Sequence, residues 1–201
     1  ALEGQVLSEH PHIACWRQAY RAFGTKPKKY PSSIANVLMR TLKGEDPSHI
    51  NKLVDLYNVV SLTHLVPVGG EDLDSIEGDI RLTKASDSEP AVRLLGEVER
   101  RAPNAGEVIY TDDLGAICRR WNWKESDRTK LTEDTKEAVL VLEALPPVDR
   151  HKLELAMEEL SALVKEHLGG DVSSKVLDRE RREMELGLTP TPLGQSAHRR
   201  E

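Results

Sequence analysis

Apolar residues recur three and four apart over residues 8–23, with Ile13, Trp16 and Tyr20 on one side, Arg17 beside them and Gly24 next. That spacing predicts an amphipathic helix with a glycine stop. A basic loop bounded by prolines covers 25–31. Ser32 or Ser33 can cap a second helix, with Ile34, Val37, Leu38 and Leu42 on one face and Gly44 at its end. Asp46, Pro47 and Ser48 make a turn. Residues 50–65 predict a third helix, in which Leu53, Leu56, Tyr57, Val60 and His64 recur at helical spacing. The run Val66, Pro67, Val68, Gly69, Gly70 reads as its break, where paired glycines permit a sharp turn or close approach to a ligand. From Asp79 the period shortens to two. Ile80 and Leu82 alternate with polar residues, and strands are expected over 107–111, 116–123 and 138–145, the first two joined by a hairpin turn at 112–115. Pro146 and Pro147 close this region. Asp149 caps a last helix over 150–168, with Leu153, Met157, Leu160 and Val164 as its stripe and Gly169 and Gly170 as its stop. Helices, then strands, then a helix indicate an α+β fold. Residues 1–186 read as one domain and the polar segment 187–201 as a disordered tail, without internal repeats.

With 201 residues, 38% hydrophobic and 31% charged, the composition is that of a globular protein. No apolar run approaches the roughly 18 residues of a membrane span, and the first residues are unlike a signal peptide, so a cytoplasmic location is expected. Cys15 and Cys118 read as reduced thiols. There is no metal-ligand spacing, no phosphate-binding glycine loop and no Ser-His-Asp order, so neither a metal nor a cofactor is expected. The net charge of −6 argues against a protein that coats nucleic acid by bulk charge. Two local basic patches remain: Lys26, Lys28 and Lys29, then Arg119, Arg120, Lys124, Arg128 and Lys130 interleaved with Trp121 and Trp123. Cations beside aromatics suit phosphate contact with base stacking, which makes Lys28, Lys29, Trp121 and Arg128 candidate RNA contacts. The same pattern also fits a solvated surface with half-buried indoles.

The segment Val54-Asp55-Leu56-Tyr57-Asn58-Val59-Val60 resembles the "VDxTNYV" helix of the B3/4 domain, the editing module in the β subunit of bacterial phenylalanyl-tRNA synthetase. Residues 65–72 follow at the spacing of that family's "GQPMHAFD" turn, with Pro67 and Asp72 in register. Residues 115–119 and Leu142-Glu143-Ala144 stand where the family has "GIMGG" and a strand ending in "EsA". The chain resembles stand-alone versions of the domain still more in Trp16-Arg17, the 26–30 stretch and Trp121-Asn122-Trp123, over residues 13–145 in all. The resemblance implies an α+β fold with sheets of unusual topology packed on helices. It implies tRNA or aminoacyl-tRNA as partner, with hydrolysis of the ester of mischarged tRNA, or else an amino-acid- or tRNA-binding module without catalysis. Three positions depart from the pattern: Gly69 stands at the pocket histidine, Tyr57 at the threonine before the asparagine, and Arg119-Arg120 at the second glycine pair.

Ester hydrolysis needs a positioned water and donors for the developing oxyanion. The resemblance puts Glu143 and Asn58 in the catalytic places, with Gly69, Gly70, Gly115, Tyr57, Arg119 and Arg120 lining the substrate. Backbone amides at Gly69, Gly70 and Gly115 are candidate oxyanion donors, and Glu143 would orient water or hold an α-ammonium group. A regular strand over 116–123 would send Arg119 and Arg120 to opposite faces, one to the pocket mouth and one to solvent. Glu143 as an exposed strand end and Asn58 as a core amide are the structural alternatives.

Overall fold

The computed structural model describes residues 6–45 and 49–186. The expected turn at 46–48 and tail at 187–201 lie outside the described residues. After a 3-10 turn come α1 (Pro11–Ala22), α2 (Ser33–Leu42) and α3 (Lys52–His64). Eight strands follow: β1 (Val68–Asp72), β2 (Arg81–Lys84), β3 (Val92–Arg93), β4 (Arg100–Arg101), β5 (Val108–Asp112), β6 (Gly115–Arg119), β7 (Lys124–Glu125) and β8 (Ala138–Leu142). The long helix α4 (Arg150–His167) comes last, completing an α+β fold.

Local chemistry sets the helix ends. Asn51 caps α3 by accepting from the Val54 amide at 2.9 Å, and Asp149 caps α4 by accepting from Lys152 at 2.8 Å. Caps of this kind stabilise by about 1 kcal/mol each. Ser32 occupies the cap position of α2, but its side chain makes no capping bond there, contrary to expectation.

α3 is the central helix, because both of its sides are covered. Val54, Tyr57 and Val60 pack with Val66, Val68, Leu131, Ala156 and Leu160. Leu62 and Leu65 meet a second cluster of Ile13, Trp16, Tyr20, Ile34 and Leu38 from α1 and α2. A one-sided stripe therefore described this helix poorly. Leu65 ends it in the left-handed conformation, at φ 55°, and turns the chain into β1.

β1 is the largest departure from the expected elements. The run expected to break the chain is an extended strand, paired antiparallel with β8 through Val68↔Leu142, Gly69↔Val141, Gly70↔Leu140 and Glu71↔Val139. Its glycines answer a need for space. A Cβ on Gly70 would lie 2.6 Å from Leu140 Cδ2 and 2.8 Å from Leu131 Cδ1, and one on Gly69 would lie 3.0 Å from Glu125 Oε1. Alternation turns Val68, Gly70, Leu140 and Leu142 toward the α3–α4 core and leaves Gly69, Glu71, Val139 and Val141 on the opposite face.

The second sheet has the order β2-β5-β6-β7. Its β5–β6 hairpin turns at 112–115 as expected, with Gly115 at φ 126°. β6 stops at Arg119 rather than Trp123, because Arg120 and Trp121 both take left-handed backbone, at φ 50° and 68°. Two such residues in succession are strained for side chains larger than glycine, and they cancel the alternation beyond Arg119.

Candidate functional site

The glycine-bearing face of the β1–β8 pair meets the second sheet along a seam, the glutamate cleft, where Glu71, Glu125 and Glu143 all lie close enough to the buried Cys118 to push its thiol pKa up. Glu143, just past β8, accepts three hydrogen bonds: from Tyr110 Oη at 2.7 Å, Trp121 Nε1 at 2.5 Å and Asn122 Nδ2 at 2.5 Å. Asn122 is held in turn by Tyr20 of α1, whose hydroxyl donates to its Oδ1 at 2.8 Å. The backbone reversal at Arg120 and Trp121 aims both the indole and the amide of Asn122 at one carboxylate, which a regular strand would not do. Burial pushes the Glu143 pKa up, and the three donors only partly offset it.

Glu125 of β7 lies against β1, where its Oε1 accepts from the Gly70 amide at 3.3 Å. Burial raises its pKa to about 7. Glu71 is 6% exposed, and burial followed by repulsion from Glu125 raises its pKa well above the ordinary carboxylate value. Its Oε2 has no hydrogen-bond partner; the neighbouring Thr129 hydroxyl eases its charge without reaching bonding geometry. The charge of Glu125 thus opposes ionisation of Glu71. Glu125 and Glu143 are both half-buried. The buried phenol of Tyr57 and thiol of Cys118 are both pushed up, first by burial and then by these glutamates.

The structure thus gathers Glu143, Gly69, Gly70 and Tyr57 from the expected site and adds Glu125, Glu71, Tyr110, Asn122 and Tyr20. Asn58 is half-buried on the side of α3 shared with Leu62 and Leu65, and no hydrogen bond ties it to a loop among the described residues. Gly115 does not join them. It lines a separate cleft of about 400 Å³ with Pro90, Arg93, Arg100 and Arg128, at the far end of the β5–β6 hairpin. The Gly70 amide is already engaged by Glu125, so it is no free oxyanion donor in this state.

Arg119 and Arg120 reach neither the pocket mouth nor solvent. Arg119 is 4% exposed and grips Glu107 with two hydrogen bonds of 2.8 Å, from Nε and Nη2. Arg120 Nη2 lies 3.7 Å from the same carboxylate, and its guanidinium stacks 3.7 Å over the Tyr30 ring. The left-handed turn brings both cations to one acid, and Glu107, 2% exposed, would be untenable without them. Of the candidate RNA contacts, Lys28 and Lys29 are exposed. Trp121 is committed to Glu143 and packs edge-on against Trp16 at 5.1 Å. Arg128 bonds Asp112 and the Ser75 carbonyl. His64 is tied to Glu159 of α4 at 2.6 Å.

Among the described residues no group of three or more His, Cys, Asp or Glu is arranged to hold a metal, and no helix is long and apolar enough to cross a membrane. The missed acids carried a weak signal. Glu71 directly follows the glycine pair, and Glu107 precedes a strand whose start lies across the hairpin from the two arginines.

The phenylalanine–tRNA ligase β subunit of Fusobacterium nucleatum is 28% identical to this chain in an alignment 167 residues long, which covers 69% of the chain and 21% of that subunit. The chain spans about a fifth of the length of that relative. The family model of the B3/4 domain matches residues 15–169, from within α1 to just past α4, and the chain belongs to the B3/4 domain family.

Proposed function

We propose that residues 1–186 form one domain that hydrolyses the ester linking a mismatched amino acid to tRNA. The observation that carries this reading is the cleft itself, in which Glu143 is held by three uncharged donors and Glu125 stands beside Gly69 and Gly70. Carboxylates buried without a cationic partner are costly, and such sites are frequently functional. The kinship with a tRNA ligase subunit supplies the substrate class. Glu143 uses three of its lone pairs inside the protein and offers the fourth to an α-ammonium group or a water. Glu125, with its pKa raised to about 7, suits a general base. Water attacks the ester carbonyl, Glu125 takes its proton, and the terminal ribose hydroxyl leaves reprotonated, giving free amino acid and tRNA. Tyr57, whose buried phenol lies within the field of Glu125 and Glu71, would shape the amino-acid pocket, while Asn58 stands on the Leu62 side of the same helix.

A second reading, a binding module without catalysis, is favoured by the Gly70 amide, which already donates to Glu125. Incubation with a panel of mischarged tRNAs separates the two. Release of an amino acid from at least one, abolished by Glu143→Gln, supports hydrolysis. Retention of free amino acid without release from any supports the binder.

A further inference from the structure

Charge is unevenly distributed along the chain. From Pro11 to Lys43 stand seven of the 28 lysines and arginines and none of the 34 aspartates and glutamates. This acid-free stretch is α1, the following loop and α2. On its surface Arg17, Arg21, Lys26 and Lys28 line one shallow groove of about 340 Å³. None of the four has an ion-pair partner among the described residues, whereas Arg81, Arg93, Arg119, Arg128 and Arg150 are all paired. In a chain with a net charge of −6 acidic partners are abundant, so four converging, unpartnered cations are a place kept for an outside anion.

The helix that carries the two arginines is also tied through its buried side to Glu143. Arg17 and Arg21 flank Tyr20 on α1, Tyr20 donates to Asn122, and Asn122 donates to Glu143. Trp16 of the same helix packs on Trp121, another donor to Glu143. Two side chains therefore separate the basic helix from the cleft.

We infer that the α1–loop groove of Arg17, Arg21, Lys26 and Lys28 docks the phosphate backbone of an RNA and so delivers its end to the cleft. This rests on the reading of aminoacyl-tRNA as substrate. It assigns RNA contact to cations that are free, in place of Arg119, Arg120 and Arg128, which are spent on Glu107 and Asp112. The arginines are set one helical turn apart and the lysines sit on a loop, a spacing that follows successive phosphates without reading bases.

The test is binding of total tRNA across a salt series by the full chain and by Arg17→Gln/Arg21→Gln/Lys26→Gln/Lys28→Gln. Removing one cation–phosphate pair lowers the slope of log K against log salt by roughly 0.7–0.9. The quadruple variant should bind about 10- to 100-fold more weakly at low salt, with a slope smaller by about 3. The loop-only variant Lys26→Gln/Lys28→Gln should show about half the change in slope and guards against misfolding of α1. A control, Lys165→Gln/Lys175→Gln, removes the same kind of charge elsewhere and should match wild type. Hydrolysis of a small aminoacyl ester should be unchanged in the quadruple variant, because the cleft is intact. Wild-type affinity and slope in both groove variants overturn the inference, and so does a control that weakens as much. Absence of tRNA binding by the wild-type chain overturns both this inference and the assigned substrate. Groove-dependent binding without hydrolysis upholds the groove and removes only the catalytic reading.

Discussion

Glu107 and Glu143 are both drawn in by the second sheet, yet they meet opposite partners. Glu107 takes a bidentate Arg119 and a second cation, Arg120. Although burial alone would raise its pKa, the two guanidiniums hold it below the ordinary value. Glu143 takes a phenol, an indole and an amide, and its pKa is raised. Two residues of left-handed backbone, Arg120 and Trp121, divide the chain between these sites, with the arginines on one side and the indole and amide donors to Glu143 on the other. A buried acid closed by cations is a structural brace. One held by uncharged donors keeps capacity for a ligand, at a standing cost in stability.

The brace should give the largest effect on stability. Glu107→Ala leaves two guanidiniums facing a void, and removal of one partner of a buried pair costs about 3–5 kcal/mol. The denaturant midpoint should fall accordingly, and a loss below about 1 kcal/mol would deny the brace. Replacing both Arg119 and Arg120 by alanine should likewise destabilise the fold rather than spare it, since Glu107 is then buried and unpaired.

The cleft should respond in the opposite direction. Glu125 has a folded pKa raised from near 4.5 to about 7, so its contribution is fully present below pH 4.5 and is lost as pH rises through about 7. Glu125→Gln should therefore gain about 2–3 kcal/mol at pH 8 relative to wild type and little at pH 4. Urea titrations at the two pH values measure this, and equal stability at both would place Glu125 outside the buried cleft. Glu107, with its lowered pKa, has the reverse sign: its contribution holds above the ordinary carboxylate range and is lost as pH falls through the folded value.

Smaller effects sharpen the contrast. Glu143→Gln keeps one acceptor oxygen for its three donors and should cost about 1 kcal/mol while removing hydrolysis. Loss of several kcal/mol would make Glu143 a second brace. Gly69→Ala places a methyl 3.0 Å from Glu125 Oε1 and should cost under about 1.5 kcal/mol. Its signature would be a displaced Glu125 titration, followed by carboxyl NMR shifts, and an unmoved titration would show that Gly69 does not shape the cleft.

The outer helices were legible because periodicity reports one-sided burial directly, whereas α3 is covered on both sides. Ile13, Trp16 and Tyr20 are buried as their spacing indicated. β1 was not legible, since glycines needed for cross-strand space look the same in sequence as glycines needed for a turn. Glu143 was marked by its apolar strand and by family likeness. Glu125 was hidden because it pairs with a backbone amide from another part of the chain, and a buried pairing of that kind leaves no local pattern. The two arginines misled for a related reason: alternation along 116–123 assumes a continuous strand, and the left-handed pair at 120 and 121 ends it.

The most direct test of the cleft is the rate of amino-acid release from a mischarged tRNA, measured from pH 5 to 8.5 for wild type and Glu125→Gln. The account predicts that the wild-type rate rises with pH and levels above an apparent pKa near 7, while the variant stays near the uncatalysed rate throughout. A wild-type rate equal to buffer alone at every pH, or a Glu125→Gln profile that matches wild type, would contradict it.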